Sequence, residues 1–356
     1  MSKPFYISGI QQVGIGNPSV KDTWAFYRRH FGFQVPVFEE EAVADLMLPY
    51  TGGQPQKRNA LLTLNMNGGG GLEIWQYTER ELIWPEQPTL PGDLGIHTLK
   101  IKTRDVEAAF RYCQKQALDL VSDVQQRAGQ PSHFLLRDLQ GNMIEITQSR
   151  YWYRRQPKGL FGGVAGAALG TSDLERSRRF WGKILGFDKE VYREEGRFAD
   201  FDAWSERSDE RYRRVILERS GAYQGPFSPL LGPAQIELVQ ALDRQPRKLY
   251  ENRFWGDPGY IHLCFDVVHM EALKDHSESL NHPFTVDSAN SFDMGEAAGR
   301  FAYIEDPDGT LIEFVETQKV PIVKKLNWYL DLSKREPAKP LPRWMINAMG
   351  WGAVKD

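Results

Sequence analysis

The chain has 356 residues and a formal net charge of only −3, with its 44 basic residues scattered along the sequence. This length favours two domains, and the charge balance argues against a nucleic-acid or an anionic membrane partner. The two cysteines cannot form a disulfide framework, and no stretch has the apolar length of a membrane span or the pattern of a signal segment. We therefore expect a cytoplasmic protein.

The first predicted unit begins with a strand over Ile10–Gly16 and a helix over Pro18–Phe33. A run of four glycines, Gly68–Gly71, lies between two alternating segments with no helix after it. A hairpin tip is therefore favoured over a phosphate-binding loop. The run leads into a strand over Gly71–Trp75, which carries one acid, Glu73.

The pattern restarts after a proline-bearing linker, Pro85–Gly92. A strand over Gly95–Lys102 and a helix over Val106–Ala117 precede two strands within Phe134–Thr147. The second of these strands places Glu145 between two isoleucines. Side chains alternate between the faces of a strand, so this acid lies on the face opposite to the isoleucines.

The second half of the chain repeats the first beyond a basic, glycine-rich boundary at Tyr151–Gly162. The matched residues lie at a constant offset of 154, since 180 − 26 = 154. They are Phe26, Tyr27, Gly32 and Phe33, which match Phe180, Trp181, Gly186 and Phe187. The last quarter runs from Gly259–Val267 to Ala302–Val315 and repeats the second. The third and fourth units again carry single acids, Glu237 and Glu313.

These repeats predict an α+β fold with four βαβββ modules paired into two curved-sheet, half-barrel domains, because one such module leaves an apolar face and open edges. The predicted domains are 1–150 (modules 8–80 and 93–150) and 160–317 (modules 162–242 and 258–317), followed by a C-terminal helical extension over 318–356. The aromatic residues of this tail favour amphipathic helices packed on the second half. An interface with another chain is the alternative.

One position in the first strand of each module recurs beside the four acids. It is occupied by Gln12, His97, Gly166 and His262. If the first and last strands of a module are neighbours and two modules face each other, these side chains converge. An imidazole, an amide oxygen and two carboxylates suit a divalent ion such as Zn²⁺, Ni²⁺, Co²⁺ or Mn²⁺.

The favoured set lies in the first half and comprises Gln12, Glu73, His97 and Glu145. A weaker second set, Glu237, His262 and Glu313, lacks a ligand side chain at Gly166. Both sets require neighbouring modules to pair. We favour this pairing because the basic stretch divides the chain into equal halves. If the outer modules pair instead, the complete set becomes Gln12, Glu73, His262 and Glu313.

A simpler interpretation treats each acid as part of a solvated strand face and His97 as a hydrogen-bonded core residue. Recurrence of the acid in all four modules favours the metal site. The remaining histidines lack paired acids and are interpreted as surface residues: His30, His133, His269, His276 and His282.

The sequence resembles the vicinal oxygen chelate superfamily, which includes glyoxalase I, extradiol dioxygenases and bleomycin resistance proteins. The resemblance covers roughly residues 8–317 and rests on the openings IQQVGIG and AGAALGTSDLERSRRFWGKILGF and the endings DLQGNMIEIT and DPDGTLIEFVE. It implies metal ligands at Gln12, Glu73, His97 and Glu145, similar to the zinc set of the glyoxalase I branch, with Ni, Co, Mn or Fe as alternatives. It further implies that Glu145, with Glu73 opposite, moves a proton.

The implied function is a metal-dependent lyase or isomerase of the glyoxalase I type, acting on a small vicinal-oxygen substrate through an enediolate. Glutathione recognition is not expected, because Gly16 stands where that branch carries an arginine. One alternative is an extradiol ring-cleaving dioxygenase, which would need His97 and His262 to meet. The other is a metal-free protein that binds a small ligand. A monomer or homodimer is expected, with neither nucleic acid nor membrane as partner.

Overall fold

Four copies of a βαβββ module form the body of the protein in a computed structural model, which describes residues 4–205, 209–289, 293–294, 297–323 and 328–354. The first module consists of β1 (Tyr6–Gly16), α1 (Val20–Phe31), β2 (Val35–Val43), β3 (Lys57–Leu64) and β4 (Gly71–Tyr77). Ser19 caps the start of α1 by accepting a hydrogen bond from the Asp22 amide. Gly32 ends it in the left-handed conformation, with φ 73°.

The other modules keep the same order of elements. The second contains β5 (Gly95–Thr103), α2 (Val106–Lys115), β6 (Asp119–Leu120), β7 (His133–Arg137) and β8 (Met143–Gln148). The third contains β9 (Phe161–Gly170), α3 (Leu174–Leu185), β10 (Lys189–Gly196), α4 (Ala199–Ser205), β11 (Tyr212–Glu218), α5 (Ser228–Leu231) and β12 (Gln235–Ala241). The fourth contains β13 (Gly259–Val268), α6 (Met270–Ser279), β14 (Val286–Asp287), β15 (Asp293–Met294), β16 (Ala297–Glu305) and β17 (Leu311–Thr317).

Two large curled sheets hold these strands. The outer sheet joins the first and fourth modules in the order β14-β16-β17-β13-β1-β4-β3-β2, with β15 beside β16. The inner sheet joins the second and third modules in the order β10-β11-β12-β9-β5-β8-β7-β6. In every module the first and last strands are parallel neighbours. The predicted α+β architecture of curved half-barrel sheets is therefore confirmed.

The pairing of the modules differs from the one that the sequence favoured. Strand β1 pairs antiparallel with β13, and β5 pairs antiparallel with β9. Each curled sheet therefore combines strands from both of the predicted domains, 1–150 and 160–317. The basic stretch between β8 and β9 does not separate two sheets, because it connects two strands of the inner sheet.

The main apolar core is shared by both sheets and by the helices α1, α2, α3 and α6. Neighbouring modules meet across this core. The Tyr27 hydroxyl of α1 donates to Asp138 in the second module at 2.9 Å, and Trp181 of α3 packs on Phe265 of β13 at 6.4 Å between ring centroids. The two sheets thus pack face to face, with the first module against the second and the third against the fourth, while each sheet joins modules from both halves of the sequence edge to edge.

The C-terminal segment forms a hairpin, β18 (Lys319–Val323) and β19 (Trp328–Asp331), before its predicted helix, α7 (Arg343–Met349). Leu341 and Ile346 are buried in a cluster with Leu64 and Tyr153. The tail therefore packs against the first module and the linker at 151–160, rather than only on the second half as predicted. Among the described helices, none combines the length and apolar character needed to cross a membrane.

Candidate functional site

The centre of the outer sheet brings together Glu73 of β4, His262 of β13 and Glu313 of β17. One ligand atom from each residue lies within 4.8 Å of those of the other two. The Nε2 atom of His262 is 3.2 Å from a carboxylate oxygen of Glu73 and 3.2 Å from one of Glu313. Gln12 of β1 completes the group, because its Nε2 atom lies 3.4 Å from Glu73 and 3.3 Å from Glu313. We call these four residues the outer site.

The strand register explains why these residues converge. Gly14 of β1 pairs with both Glu73 of β4 and His262 of β13. A Cβ atom at position 14 would lie 2.5 Å from the Cε1 atom of His262. Glycine at this position therefore leaves the space that the imidazole occupies between the two carboxylates.

The environment of the outer site is buried and aromatic. His262 is completely buried, and Gln12, Glu73 and Glu313 are nearly so. The Trp255 ring stacks on His262 at 6.2 Å with a 20° interplanar angle. The Tyr303 hydroxyl lies 3.4 Å from the Nδ1 atom of His262 and orients the imidazole.

The two carboxylates are electrostatically unequal. Burial would raise the pKa of Glu73, but its hydrogen bond and charge interaction with His262 hold that pKa below the usual value. Burial raises the pKa of Glu313 to about 7, and the charge of Glu73 adds to the increase. Burial alone would lower the pKa of His262, but the charge of Glu313 and the hydrogen bond to Glu73 raise it.

One polar atom of the outer site, Oε1 of Gln12, is buried and has no hydrogen-bond partner among the described residues. Buried polar atoms normally have such partners, so an unpartnered oxygen beside two carboxylates and an imidazole indicates room for a further group. Oxygen and imidazole donors of this kind fit a divalent cation.

The inner sheet carries the equivalent acids, but a protein cation lies between them. The Nζ atom of Lys100 is 2.9 Å from Glu145 and 2.6 Å from Glu237. Lys100 pairs with Gly166 in the inner sheet, as Gly14 pairs with His262 in the outer sheet. In the outer sheet the glycine lies on the first of the two paired strands and the large side chain on the second, whereas in the inner sheet this order is reversed.

Further buried ion pairs complete this inner cluster. Arg127 lies 2.6 Å from Glu145, and Arg214 lies 2.7 Å from Glu237. Arg214 also binds Asp200 at 2.9 Å. Burial alone would raise the pKa of Glu145, but the charges of Arg127 and Lys100 lower it to about 2. We call Lys100, Arg127, Glu145, Asp200, Arg214 and Glu237 the inner cluster, in which three cations balance three anions.

His97 does not occupy the position assigned to it from the sequence. The register between β5 and β9 shifts between Ile96 and Thr98, so His97 is the extra residue of a β-bulge. Gln12 lies two residues before Gly14, the strand partner of Glu73. Thr98 lies two residues before Lys100, the strand partner of Glu145, so Thr98 is the equivalent of Gln12 in the second module. His97 instead contacts Thr98 at 2.9 Å, and burial lowers the pKa of the imidazole to about 3.

The structure therefore divides the predicted residues differently. It does not unite Gln12 and Glu73 with His97 and Glu145, nor Glu237 with His262 and Glu313, because the first module pairs with the fourth and the second with the third. The set Gln12, Glu73, His262 and Glu313, which was the alternative, is the one brought together. His133 is also not a surface residue, since it is buried with its Nε2 atom 3.3 Å from Asp200.

Sequence reasoning missed the residues that fill the inner cluster. The strand GIHTLKIK contained a signal, because Lys100 and Lys102 alternate with apolar residues in a strand that is otherwise suited to burial. Arg127 and Asp200 lie outside the paired first and last strands, and no periodic pattern pointed to them.

The chain thus consists of four βαβββ modules in two curled sheets, with ligand-type side chains on the first and last strands of the modules. Residues 163–314 match the family model of the Glyoxalase/Bleomycin resistance protein/Dioxygenase superfamily. The resemblance inferred from the sequence is thereby confirmed. No curated protein gives a significant match.

Solved structures with this fold extend the likeness over nearly the whole chain. A presumed dioxygenase from Bacillus subtilis is 14% identical with a TM-score of 0.57, covering 98% of this chain and 97% of that chain. Glyoxalase I from Zea mays is 15% identical with a TM-score of 0.53, covering 88% and 92%. At these identities the likeness establishes the fold alone.

Proposed function

We propose that the outer site binds a divalent metal ion through Gln12, Glu73, His262 and Glu313. The observation that carries this proposal is the convergence of three ligand atoms within 4.8 Å beside an unpartnered buried amide oxygen. Rotating the Gln12 amide by half a turn exchanges its oxygen and nitrogen and turns the oxygen toward the carboxylates. Two carboxylates offset the charge of the ion, which favours its binding in a buried site. Zinc is the expected metal.

The inner cluster supports the same interpretation. Its two equivalent acids hold a lysine ammonium group, so this arrangement of strands places a cation between the acids. The inner sheet supplies the cation from its own sequence. The outer sheet has no lysine or arginine at the matching positions, where Gly14 and His262 stand. A metal ion would supply the missing charge.

The reaction that we propose is proton transfer between adjacent carbons of a small molecule with two neighbouring oxygens, as in a glyoxalase-type lyase or isomerase. A bound metal ion would supply Lewis acidity that stabilises negative charge on the substrate oxygens. Glu313 would accept and return the proton, because Glu73 has Arg58 as an additional cationic neighbour and is held ionised. Trp255 and Tyr303 would limit access of water to the substrate.

Extradiol ring cleavage has less support. That chemistry was expected to need two histidines with one glutamate, and His97 lies in the inner sheet while His262 lies in the outer one. One histidine at the outer site agrees better with the glyoxalase-type set.

Metal analysis of the purified protein, together with proton exchange in D₂O, tests the proposal. We expect one zinc ion per chain, which is lost in His262→Ala and kept in His97→Ala, a matched histidine of the other sheet. Exchange of the carbon-bound proton of an α-hydroxyketone, followed by NMR, should disappear in Glu313→Gln. Protein that takes up no metal from added zinc, or equal metal loss in both histidine variants, would contradict the proposal. Tight ligand binding by such metal-free protein would favour the alternative binding role.

A further inference from the structure

A cavity lies between the end of α1, the linker at 154–161 and the C-terminal tail. Its volume is about 590 Å³, which is in the range of small-molecule sites. None of the four outer-site residues lines it. The cavity is therefore separate from the proposed metal centre.

The lining of this cavity carries charge of one sign. Arg28, Arg29, Arg154 and Lys158 contribute to its wall, together with His30, and no aspartate or glutamate is among its described lining residues. Arg28 and Arg29 lie in the last turn of α1, where cations compensate the helix dipole. Arg154 and Lys158 come from a distant linker, and the dipole of α1 does not explain their position. Gathering these like charges has a cost that a bound anion would offset.

Hydrogen bonds hold the walls of the cavity in place. The Asn67 side chain donates to the Lys158 carbonyl at 2.7 Å and accepts from the Lys158 amide at 3.1 Å. The Asn65 amide donates to the carbonyls of Phe31 at 2.7 Å and Phe161 at 3.2 Å. These bonds join the end of α1 to the linker. The cavity is therefore formed without a ligand, which lowers the entropic cost of binding.

The tail closes one side of the cavity. Gly350 and Ala353 belong to its wall, and the Val354 amide donates to the Gln34 carbonyl at 2.8 Å. A side chain at Gly350 would lie 3.5 Å from the Nη2 atom of Arg154, so the tail runs directly beside this guanidinium group. Tyr112 adds an aromatic surface.

We propose that this cavity is a binding site for a small phosphorylated molecule, with Arg154, Lys158 and Arg29 holding a phosphate or diphosphate group. Guanidinium groups match phosphate oxygens with paired hydrogen bonds, and an ammonium group adds a mobile point charge. The aromatic wall at Tyr112 and Phe161 offers apolar surface to the remainder of the ligand. This inference does not depend on the metal centre.

Calorimetric titration with inorganic pyrophosphate tests the site in the full chain. At about 50 mM ionic strength we expect saturable binding that weakens at high salt. Arg154→Glu and Lys158→Glu should each raise the Kd about tenfold or more, since each removes a charge-assisted contact. Arg155→Glu is the matched control. It makes the same charge change on an exposed neighbour that does not line the cavity, so its Kd should stay close to that of the wild type.

Arg154→Gln serves as a second variant, because loss of charge without reversal is less disruptive to folding, and thermal unfolding reports whether each variant is folded. Absence of saturable pyrophosphate binding to the wild type would overturn the proposal. An equal rise in Kd for Arg155→Glu would overturn it as well, because the attraction would then be a general property of the basic linker. Neither result bears on the zinc content of the outer site, so failure here and failure of the proposed function are distinguishable.

Discussion

Replacing Lys100 by methionine tests whether the inner cluster is held by a protein cation. The change keeps the length of the side chain and removes the ammonium group that lies 2.9 Å from Glu145 and 2.6 Å from Glu237. Arg127 and Arg214 would remain, with two positive charges against the three negative charges of the cluster. One buried negative charge would therefore lose its balance.

The magnitude follows from these contacts. At an effective dielectric constant of about 20, each Lys100 contact contributes roughly 6 kcal/mol of Coulomb attraction, most of which is offset by desolvation of the ions. Breaking a buried pair while its partner stays charged costs about 3–5 kcal/mol. Lys100 is 1% exposed, so solvent cannot replace the lost interaction. This loss is a large fraction of a typical domain stability of about 5–15 kcal/mol.

Urea unfolding of three variants provides the assay. Lys100→Met should lower the free energy of unfolding by about 3–5 kcal/mol. Adding Glu145→Gln should recover about half of this loss, because two cations then face two anions. The control is Arg211→Ala, which removes an exposed ion pair with Asp243 and should cost less than about 1 kcal/mol. If Lys100→Met unfolds within about 1 kcal/mol of the wild type, the inner cluster is not held in this way.

Two further predictions concern a close approach and a buried charge. In Gly14→Ala the added Cβ would lie 2.5 Å from Cε1 of His262, so the affinity for zinc should fall about 10- to 100-fold. The control is Gly182→Ala, whose added Cβ would lie 3.7 Å from the nearest atom and should leave the zinc affinity unchanged. Equal affinities of the two variants in a metal titration would count against the proposed ligand geometry. Burial lowers the pKa of Lys102 to about 7 in the folded protein, whereas a lysine in the unfolded chain has a pKa of about 10.4. Between these two pH values the unfolded state therefore binds one proton more than the folded state. The wild type should gain up to about 1.4 kcal/mol of stability per pH unit as the pH rises between these values, relative to Lys102→Met, and the variant should be the more stable at pH 7. A pH-independent difference in urea unfolding between the two proteins would refute this assignment.

Local sequence patterns were sufficient to predict the modules. Apolar periodicity located the helices α1 and α2, and the offset of 154 residues carries the range of α1 onto that of α3, since 174 − 20 = 154 and 185 − 31 = 154. Alternation also predicted that Glu145 faces away from its flanking isoleucines, which lie in the main core, with Glu73 and Glu313 at the matching positions of their modules. These features depend on residues that are close in sequence, so a single chain is enough to reveal them.

The membership of the candidate site required the tertiary structure. The open edge of β1 could pair with any apolar strand through the same backbone hydrogen bonds, and its side chains do not distinguish β5 from β13. The bulge at His97 is equally invisible in the sequence, although it removes this residue from the position equivalent to Gln12. The sequence by itself therefore determined the four modules and the acid that each contributes. Only the pairing of distant strand edges decided that His262 and Glu313 join Gln12 and Glu73, and that Lys100 lies between Glu145 and Glu237.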